Sequence, residues 1–198
     1  MPSLALVAAC MAHTTAAASH SRSLFDFTAN PALAKNFFPQ DDRVMGGRSV
    51  SAMTSQLDHA RFTGELVLPG GGFASIRANA QEGAWDLSGS QGAELVVRGD
   101  GPPYKLVVRI TAAPRVSYQQ DFEPGDKTEW CTVKLLWCDF VPTYLGRVVP
   151  DAPKLGSELS QVTSVGFMLS KLTDIGQANS RAKDGPFRLD VQSVSIFP

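Results

Sequence analysis

The sequence predicts an all-β protein, an antiparallel β-sandwich or jelly roll, and three observations support this. Apolar and polar residues alternate along most of the chain after residue 24, which is the period of a half-buried strand. Turn formers, including 17 glycines and 13 prolines among 198 residues, separate the candidate strands, at spacings of about 8 to 12 residues. Helix signals are weak, so a helical bundle is disfavoured.

Residues 59–68 show the clearest alternation in the chain. Phe62 and Leu66 fall on one side of the predicted strand, whereas Arg61 falls on the other. Gly and Pro clusters then bound each of the other predicted strands. These strands cover residues 73–78, 93–97, 104–110, 116–122, 129–137, 164–169 and 187–196.

Helical turns and one long loop complete the predicted elements. Residues 30–37 are predicted to form two helical turns, with Asn30 as the N-cap and Pro31 at the first helical position. Residues 156–162 are predicted to form one more short turn. Residues 172–183 are polar and rich in turn formers, so they are predicted to form a surface loop between two core strands.

Residues 1–23 differ in composition from the rest and are predicted to form a cleavable targeting leader, followed by one domain over residues 24–198. The segment is rich in Ala, Ser and Thr and lacks acidic residues, as in an organelle transit peptide, although Arg22 is its only arginine. An apolar stretch at residues 4–11 with small residues at 16–18 leaves a secretory signal open, and an unprocessed tail is the third alternative. That stretch is far shorter than the about 20 residues of a membrane-spanning helix.

Charge and composition exclude several classes of function. Eighteen basic and 19 acidic residues leave a net charge of −1, which gives no general attraction to nucleic acids or anionic membranes. His59 is the only histidine after the leader and is expected at an exposed strand edge, so zinc and histidine-dependent catalysis are not expected. Cys131 and Cys138 would lie about 23 Å apart along one strand, too far for a disulfide. No catalytic residue and no cofactor is predicted.

The most distinctive segment is residues 40–51, which read QDDRVMGGRSVS. The paired glycines permit a positive φ or a close approach of another backbone. Asp41 or Asp42 is able to cap a turn or to pair with Arg43 or Arg48. Calcium needs six to eight oxygen ligands, and the loop offers only two adjacent carboxylates, so no metal is predicted.

Within this segment, DDRVMGGRS resembles the signature of the CIA30 family, named for complex I intermediate-associated protein 30. Further stretches fit the same family in the same order: ARFTGELVLPGGGFASIRA, YKLVVR, WxxVKL, FVPTYLGR, SVGFML and GPFRLDVQSVSIF. By this resemblance, which spans residues 24–197, the chain is identified as a family member, and its loop at 172–183 is similar to plant and algal members. The resemblance implies a galactose-binding-domain-like β-sandwich.

The resemblance also implies a function. It predicts a non-catalytic assembly factor, or chaperone, that binds intermediates of mitochondrial respiratory complex I, the NADH:ubiquinone oxidoreductase, through surface loops. The expected partners are complex I subunits or other assembly factors at the membrane periphery. The expected location is the mitochondrion, reached through a transit peptide. Two alternatives stay open: a plastid factor of the same family in photosystem biogenesis or an RNA-related role, and a carbohydrate-binding module.

An assembly factor acts by binding, so its site is expected to be a surface patch with a few aromatic or Arg anchors. The first candidate is the signature loop, residues 41–48. The second is the rim segment, residues 140–147, which carries two aromatics and an arginine after a predicted strand. Trp130 and Trp137 have opposite parity on that strand, so one of them is expected to face the core. The candidate partner-binding residues are Asp41, Asp42, Arg43, Met45, Gly46, Gly47, Arg48, Phe140, Tyr144 and Arg147.

Overall fold

A computed structural model describes residues 21–198, where thirteen strands form two antiparallel sheets. Sheet A contains β1 (Arg22–Asp26), β3 (Val50–Ser55), β4 (Ala60–Leu66), β6 (Gly92–Gly99), β9 (Cys131–Leu136) and β13 (Gly185–Phe197). Sheet B contains β2 (Phe37–Pro39), β5 (Phe73–Asn79), β7 (Tyr104–Ile110), β8 (Ser117–Phe122), β10 (Val141–Tyr144), β11 (Arg147–Val148) and β12 (Val162–Ser170). The predicted all-β sandwich is confirmed.

The strand order places the two ends of the domain together in sheet A. Its order is β3-β4-β13-β6-β9, and β1 also pairs with β13. Sheet B has the order β11-β10-β8-β7-β12-β5-β2. Arg22 and Ser23, the last residues of the predicted leader, pair with β13. Residues 1–20 of that leader lie outside the described residues.

Five short 3₁₀ helices connect the strands of the described domain. They are Pro31–Asn36, Asp42–Met45, Trp137–Asp139, Leu155–Ser157 and Leu159–Gln161. Both predicted helical segments are therefore confirmed as 3₁₀ turns, with Pro31 at the start of the first, although the Asn30 side chain makes no capping hydrogen bond. In residues 21–198 no helix has the length and apolar character needed to cross a membrane.

The predicted strands agree closely with the observed ones. The strand predicted at residues 104–110 is β7, and the long predicted loop lies between β12 and β13. The observed strand β9 is shorter than the predicted range 129–137, because Trp137 begins a 3₁₀ helix. Trp137 is the tryptophan that faces the core, where its indole N–H donates to Ser90 Oγ at 2.9 Å. The two cysteines of the described chain are free, as expected.

The core lies between the sheets and is filled by alternate residues of each strand. In sheet B the inward residues include Ile76, Leu106 and Phe167, which are fully buried. Phe62 and Leu95 of sheet A face them from the other side and are also fully buried. Burial of each such side chain stabilises the fold by about 1.5–3 kcal/mol. The period of two therefore determines which residues of each strand remain on the outer faces.

Asp190, on β13, is the fully buried centre of a charged cluster on sheet A. Its carboxylate accepts hydrogen bonds from Arg61 Nε at 2.7 Å and Arg98 Nε at 3.0 Å, on the two neighbouring strands, and from Arg188. Burial by itself raises the pKa of Asp190. The hydrogen bonds from the three arginines outweigh that effect and hold its pKa well below the usual range.

His59 belongs to this cluster, so its expected position at an exposed edge is wrong. The imidazole is 8% exposed, with Nδ1 2.8 Å from Asp58 Oδ1 and Nε2 3.4 Å from Asp190 Oδ2. Trp130 packs edge-on against the ring, with 5.5 Å between the centroids, and also covers the Arg98 guanidinium at 4.3 Å. Trp130 lies in a loop that is distant in sequence from His59. The residues around His59 therefore give no indication that its ring is covered.

We expect Asp190→Asn to lower the free energy of unfolding at neutral pH by about 3 kcal/mol or more, because three guanidinium groups lose their buried carboxylate. The pKa of Asp190 is lower in the folded state than its unfolded value of about 3.9. The carboxylate therefore stabilises the fold above about pH 4, and this contribution is lost as the pH falls.

Urea unfolding at neutral pH and at several acidic pH values measures both effects. The matched control is Glu82→Gln at an exposed carboxylate, which should change stability by less than about 0.5 kcal/mol. The difference between Asp190→Asn and the wild type should shrink as the pH falls below about 4. A neutral-pH loss under about 1 kcal/mol for Asp190→Asn would contradict the central role of this carboxylate.

Candidate functional site

A cleft of about 930 Å³ lies over the outer face of sheet B. Its floor is formed by polar residues of β5, β7, β8 and β12 that point away from the core. The signature loop, the glycine loop (residues 70–72) and the rim segment contribute to its walls, together with the end of β12 and residues 171–173 after it. The cleft therefore combines a rigid sheet with loops from four separate parts of the chain.

Four of the ten predicted site residues line this cleft. Asp41, Arg43 and Met45 come from the signature loop, and Tyr144 comes from the rim segment. Met45 and Tyr144 are 46% and 44% exposed, so both present apolar surface to solvent at the cleft. The fold thus brings the two predicted patches, which are almost a hundred residues apart in sequence, to one place.

The other six predicted residues lie outside the cleft lining. Phe140 is buried and packs against Trp137, with 5.3 Å between the ring centroids. Arg48 is exposed at the end of the signature loop, and Arg147 is exposed on the edge strand β11. Asp42 and the glycines at 46–47 lie in the signature loop and determine its conformation.

Asp42 is fully buried and anchors the signature loop to the glycine loop. Its carboxylate accepts hydrogen bonds from the backbone N–H and the hydroxyl of Ser49, both at 2.9 Å. It also accepts from the N–H groups of Gly72 at 2.7 Å and Phe73 at 3.3 Å. A carboxylate that accepts hydrogen bonds from several N–H groups stabilises a loop strongly, because the negative charge of the acceptor strengthens each hydrogen bond.

Asp41 connects the two sheets at the edge of the cleft. It accepts hydrogen bonds from the N–H of Ser51 at 2.9 Å and from its hydroxyl at 2.6 Å, on β3 of sheet A. It also accepts from the N–H of Ser75 at 3.0 Å, on β5 of sheet B. The expected ion pairs with Arg43 or Arg48 are not what holds the loop, since within residues 21–198 both carboxylates bond to Ser hydroxyls and backbone N–H groups instead.

Gly47 of the motif and Gly71 of the glycine loop make room for Asp42. A Cβ atom on Gly47 or on Gly71 would lie 2.1 Å from an atom of the Asp42 side chain, much closer than any real contact. Gly46 has φ +80° and ends the 3₁₀ helix in the left-handed region, which a glycine adopts without strain. The DDRVMGG motif therefore encodes a buried carboxylate and the close backbone packing around it.

We expect Asp42→Asn to lower the free energy of unfolding by about 3 kcal/mol, although Asn has the same shape. The amide keeps one acceptor oxygen, and its NH₂ group would face N–H donors that the carboxylate now satisfies. Thermal or urea unfolding measures the loss, with Arg43→Ala in the same loop as the matched control.

The control should stay within about 0.5 kcal/mol of the wild type, because the Arg43 side chain is exposed. Equal, small effects for Asp42→Asn and Arg43→Ala would show that Asp42 is not the anchor of the loop. A large loss for Arg43→Ala would instead show that this arginine is structural.

The basic floor of the cleft was not predicted from the sequence. Arg77 on β5 and Lys105 and Arg109 on β7 lie on the outer face, and Gln119 of β8 lies beside them. The signal was present in the strand patterns, since each cation occupies the polar phase of an otherwise apolar strand. Cations in that phase on β5 and β7, the two strands that flank β12, form a charged face.

The lining of the cleft is strongly positive although the chain has a net charge of −1. It contains a single acidic residue, Asp41, and six basic ones: Arg43, Arg77, Lys105, Arg109, Arg115 and Lys171. Burial lowers the pKa of Lys105, and its ion pair with Asp121 opposes that shift. Over the described part of the chain, no three His, Cys, Asp or Glu side chains group as metal ligands.

Comparison with solved structures places this fold in a class of β-sandwich domains. A family 11 carbohydrate-binding module of the Clostridium thermocellum cellulase Lic26A-Cel5E aligns with a TM-score of 0.57 at 12% identity, over 91% of this chain and 95% of the module. The agarase AgWH50C aligns with a TM-score of 0.59 at 10% identity, over 89% of this chain and 24% of the agarase. The protein is therefore a β-sandwich of the type found in carbohydrate-binding modules.

Sequence comparison identifies the family. Residues 25–191 match the sequence model of complex I intermediate-associated protein 30, and the chain belongs to the CIA30 family, which is implicated in complex I assembly. The resemblance identified from the motifs is thus confirmed. An uncharacterised protein of Schizosaccharomyces pombe, C9E9.15, is 29% identical over 181 residues, which cover 83% of this chain and 78% of the relative.

Proposed function

We propose that this protein is a non-catalytic assembly factor that binds intermediates of mitochondrial respiratory complex I through the loops around the cleft. Membership of the CIA30 family supports assembly as the process and the mitochondrion as the location. The observation that carries the proposal is that two separate family motifs, DDRVMGGRS and FVPTYLGR, supply walls of one cleft. Its partners would be complex I subunits or other assembly factors.

The exposed side chains at the cleft have the chemistry of a protein interface. Arg, Met and Tyr are enriched at such interfaces, and Tyr and Arg are enriched among the residues with large binding energies. Arg43, Met45 and Tyr144 are of these three types, and Leu145 beside Tyr144 is 61% exposed. Together they form an apolar surface with one cation, on loops that the sheet holds in place.

Leu145 has an unusual backbone conformation that supports a binding role for the rim segment. Its φ of +49° lies in the left-handed region, which costs a residue with a Cβ about 1 kcal/mol or more. The two-residue turn between β10 and β11 requires this conformation, since Tyr144 pairs with Arg147 and Gly146 also has a positive φ of +76°. The turn leaves the Leu145 side chain 61% exposed at the cleft, where a partner surface would contact it.

The remaining predicted residues would support the interface rather than form it. Asp41 and Asp42 anchor the signature loop, and the glycines at 46–47 allow that anchoring. Arg48 and Arg147 are exposed and would extend the interface at its edge. Phe140 packs beneath the rim segment against Trp137.

We expect removal of the protein from its host to prevent completion of complex I. Native gel electrophoresis with an in-gel NADH dehydrogenase stain should show loss of the full-size band and accumulation of subassemblies, because an intermediate loses the factor that stabilises it. Re-expression of the full chain should restore the full-size band. Intact complex I would refute the proposal, and missing photosystem bands on the same gel would favour the plastid alternative.

We expect Arg43→Ala and Tyr144→Ala to weaken recovery of complex I intermediates about tenfold each, since interface anchors contribute more than about 1.4 kcal/mol. Tagged full chain is purified from mitochondria, and co-purified complex I subunits are quantified. Lys127→Ala, at an exposed cation outside the cleft lining, is the matched control and should bind as the wild type does.

The thermal midpoint separates binding from folding in the same variants. Exposed substitutions usually change stability by less than about 0.5 kcal/mol, so the midpoints should stay close to that of the wild type. Unchanged recovery of intermediates by both variants would show that the cleft is not the interface.

The carbohydrate-binding alternative is supported by the fold, and one related module was solved with a β-1,3-1,4-mixed-linked tetrasaccharide. The likeness at 13% identity shows the fold alone. Titration of the purified protein with that tetrasaccharide tests the alternative directly. Saturable binding at millimolar or lower concentration, lost in Tyr144→Ala, would favour the carbohydrate alternative over the assembly proposal.

A further inference from the structure

Arg77 is a buried cation without a counter-charge in the floor of the cleft. Its residue is 6% exposed, and its Nε and Nη1 atoms have no hydrogen-bond partner among the described residues. Buried polar groups are almost always paired, and an unpaired buried charge is costly. The Arg77 side chain lines both the cleft and an adjoining cavity of about 420 Å³.

Arg109 provides a second guanidinium group at the same place. It lines the same two cavities, and its Nε donates to Ser117 Oγ at 3.3 Å. Burial and the charge of Arg109 together lower the pKa of Arg77 to about 9. Arg77 therefore stays charged at neutral pH, and burial lowers the pKa of Arg109 as well.

The strand register explains how the two arginines come together. Arg77 on β5 lies opposite Gly166 of β12, and Arg109 on β7 lies opposite Ser164, the next position on the same face. A Cβ on Gly166 would lie 2.8 Å from Arg77 Cγ. The Arg77 side chain therefore occupies the space above β12, between its own strand and that of Arg109.

Within residues 21–198 no carboxylate pairs with either arginine, whereas the nearby Lys105 is paired with Asp121. The fold thus satisfies one cation of the floor and leaves two guanidinium groups without a carboxylate partner in the lining of the same two cavities. We propose that Arg77 and Arg109 form a binding site for a dianionic phosphate group, either inorganic phosphate or a small phosphate monoester.

Phosphate fits this site better than a carboxylate does. Guanidinium groups bind both kinds of anion in bidentate geometry. A single carboxylate neutralises one of the two charges, however, whereas a phosphate dianion neutralises both. The four further cations of the lining would attract the same ligand by their long-range field.

The phosphate site goes beyond the proposed function and does not depend on it. The interface proposed for assembly uses exposed side chains at the walls, whereas Arg77 and Arg109 lie in the floor. Binding of phosphate is measured on the purified protein without any complex I subunit. A failure of the phosphate site would therefore leave the assembly experiments unaffected, and the reverse also holds.

The test is thermal unfolding of the purified full chain with inorganic phosphate, with glycerol 3-phosphate and with succinate, at constant ionic strength in chloride. A dissociation constant of about 1 mM would raise the midpoint by about 4 °C at about 10 mM ligand. Succinate should leave the midpoint near its value in chloride. A response to inorganic phosphate alone would identify the free anion as the ligand, and a larger response to the ester would identify a phosphate monoester.

Three variants locate the site. In Arg77→Gln and in Arg109→Gln the phosphate-dependent shift should disappear, and isothermal titration should show affinity reduced at least tenfold. Lys127→Gln, outside the cleft, should keep the shift of the wild type. In chloride alone the midpoint of Arg77→Gln should equal or exceed that of the wild type, because an unpaired buried charge is removed.

Three results would overturn the proposal. The first is no shift of the wild-type midpoint by either phosphate ligand beyond that in chloride. The second is an equal shift in Arg77→Gln, Arg109→Gln and the wild type, which would place the phosphate elsewhere. The third is a succinate response as large as the phosphate response, which would show a site for carboxylates instead.

Discussion

The hydrogen bonds of Asp41 and Asp42 hold the cleft together. Asp41 joins β3 of one sheet to β5 of the other, and Asp42 joins the signature loop to the glycine loop at the start of β5. Both carboxylates accept from backbone N–H groups that would otherwise lack partners at the sandwich edge. Because these bonds determine where the signature loop lies, they also determine the position of Arg43 and Met45 on the cleft wall.

This arrangement separates structural from binding residues inside one short motif. The acidic residues and Gly47 of DDRVMGGRS point inward or pack closely, whereas Arg43 and Met45 remain exposed. A carboxylate beside an arginine in sequence suggests an ion pair, yet neighbouring side chains in a tight turn often point in different directions. The same division occurs in the rim segment, where Phe140 enters the core and Tyr144 faces the cleft.

The fold was predictable from sequence because its information is local. Alternation over five or more residues defines a strand and its buried face, so β4, β5, β7 and β13 were all found. Five strands were not predicted: β2 and β11, in which two or three residues carry no periodicity, and also β1, β3 and β10. His59 was placed wrongly because Trp130, which covers it, lies far away in the chain. Arg77 and Arg109 were missed because each looks like an ordinary outward residue of a sandwich strand.

The sequence by itself determined the β-sandwich, the family and the two motifs at which binding was expected, since strand period and motif identity are properties of neighbouring residues. Only the tertiary structure decided that both motifs line one cleft with a basic floor. It also decided that Asp42 is an anchor and Arg77 a buried cation without a carboxylate partner in the described domain. The physical reason is that desolvation and pairing depend on strand order, which brings distant residues together and which no local pattern encodes.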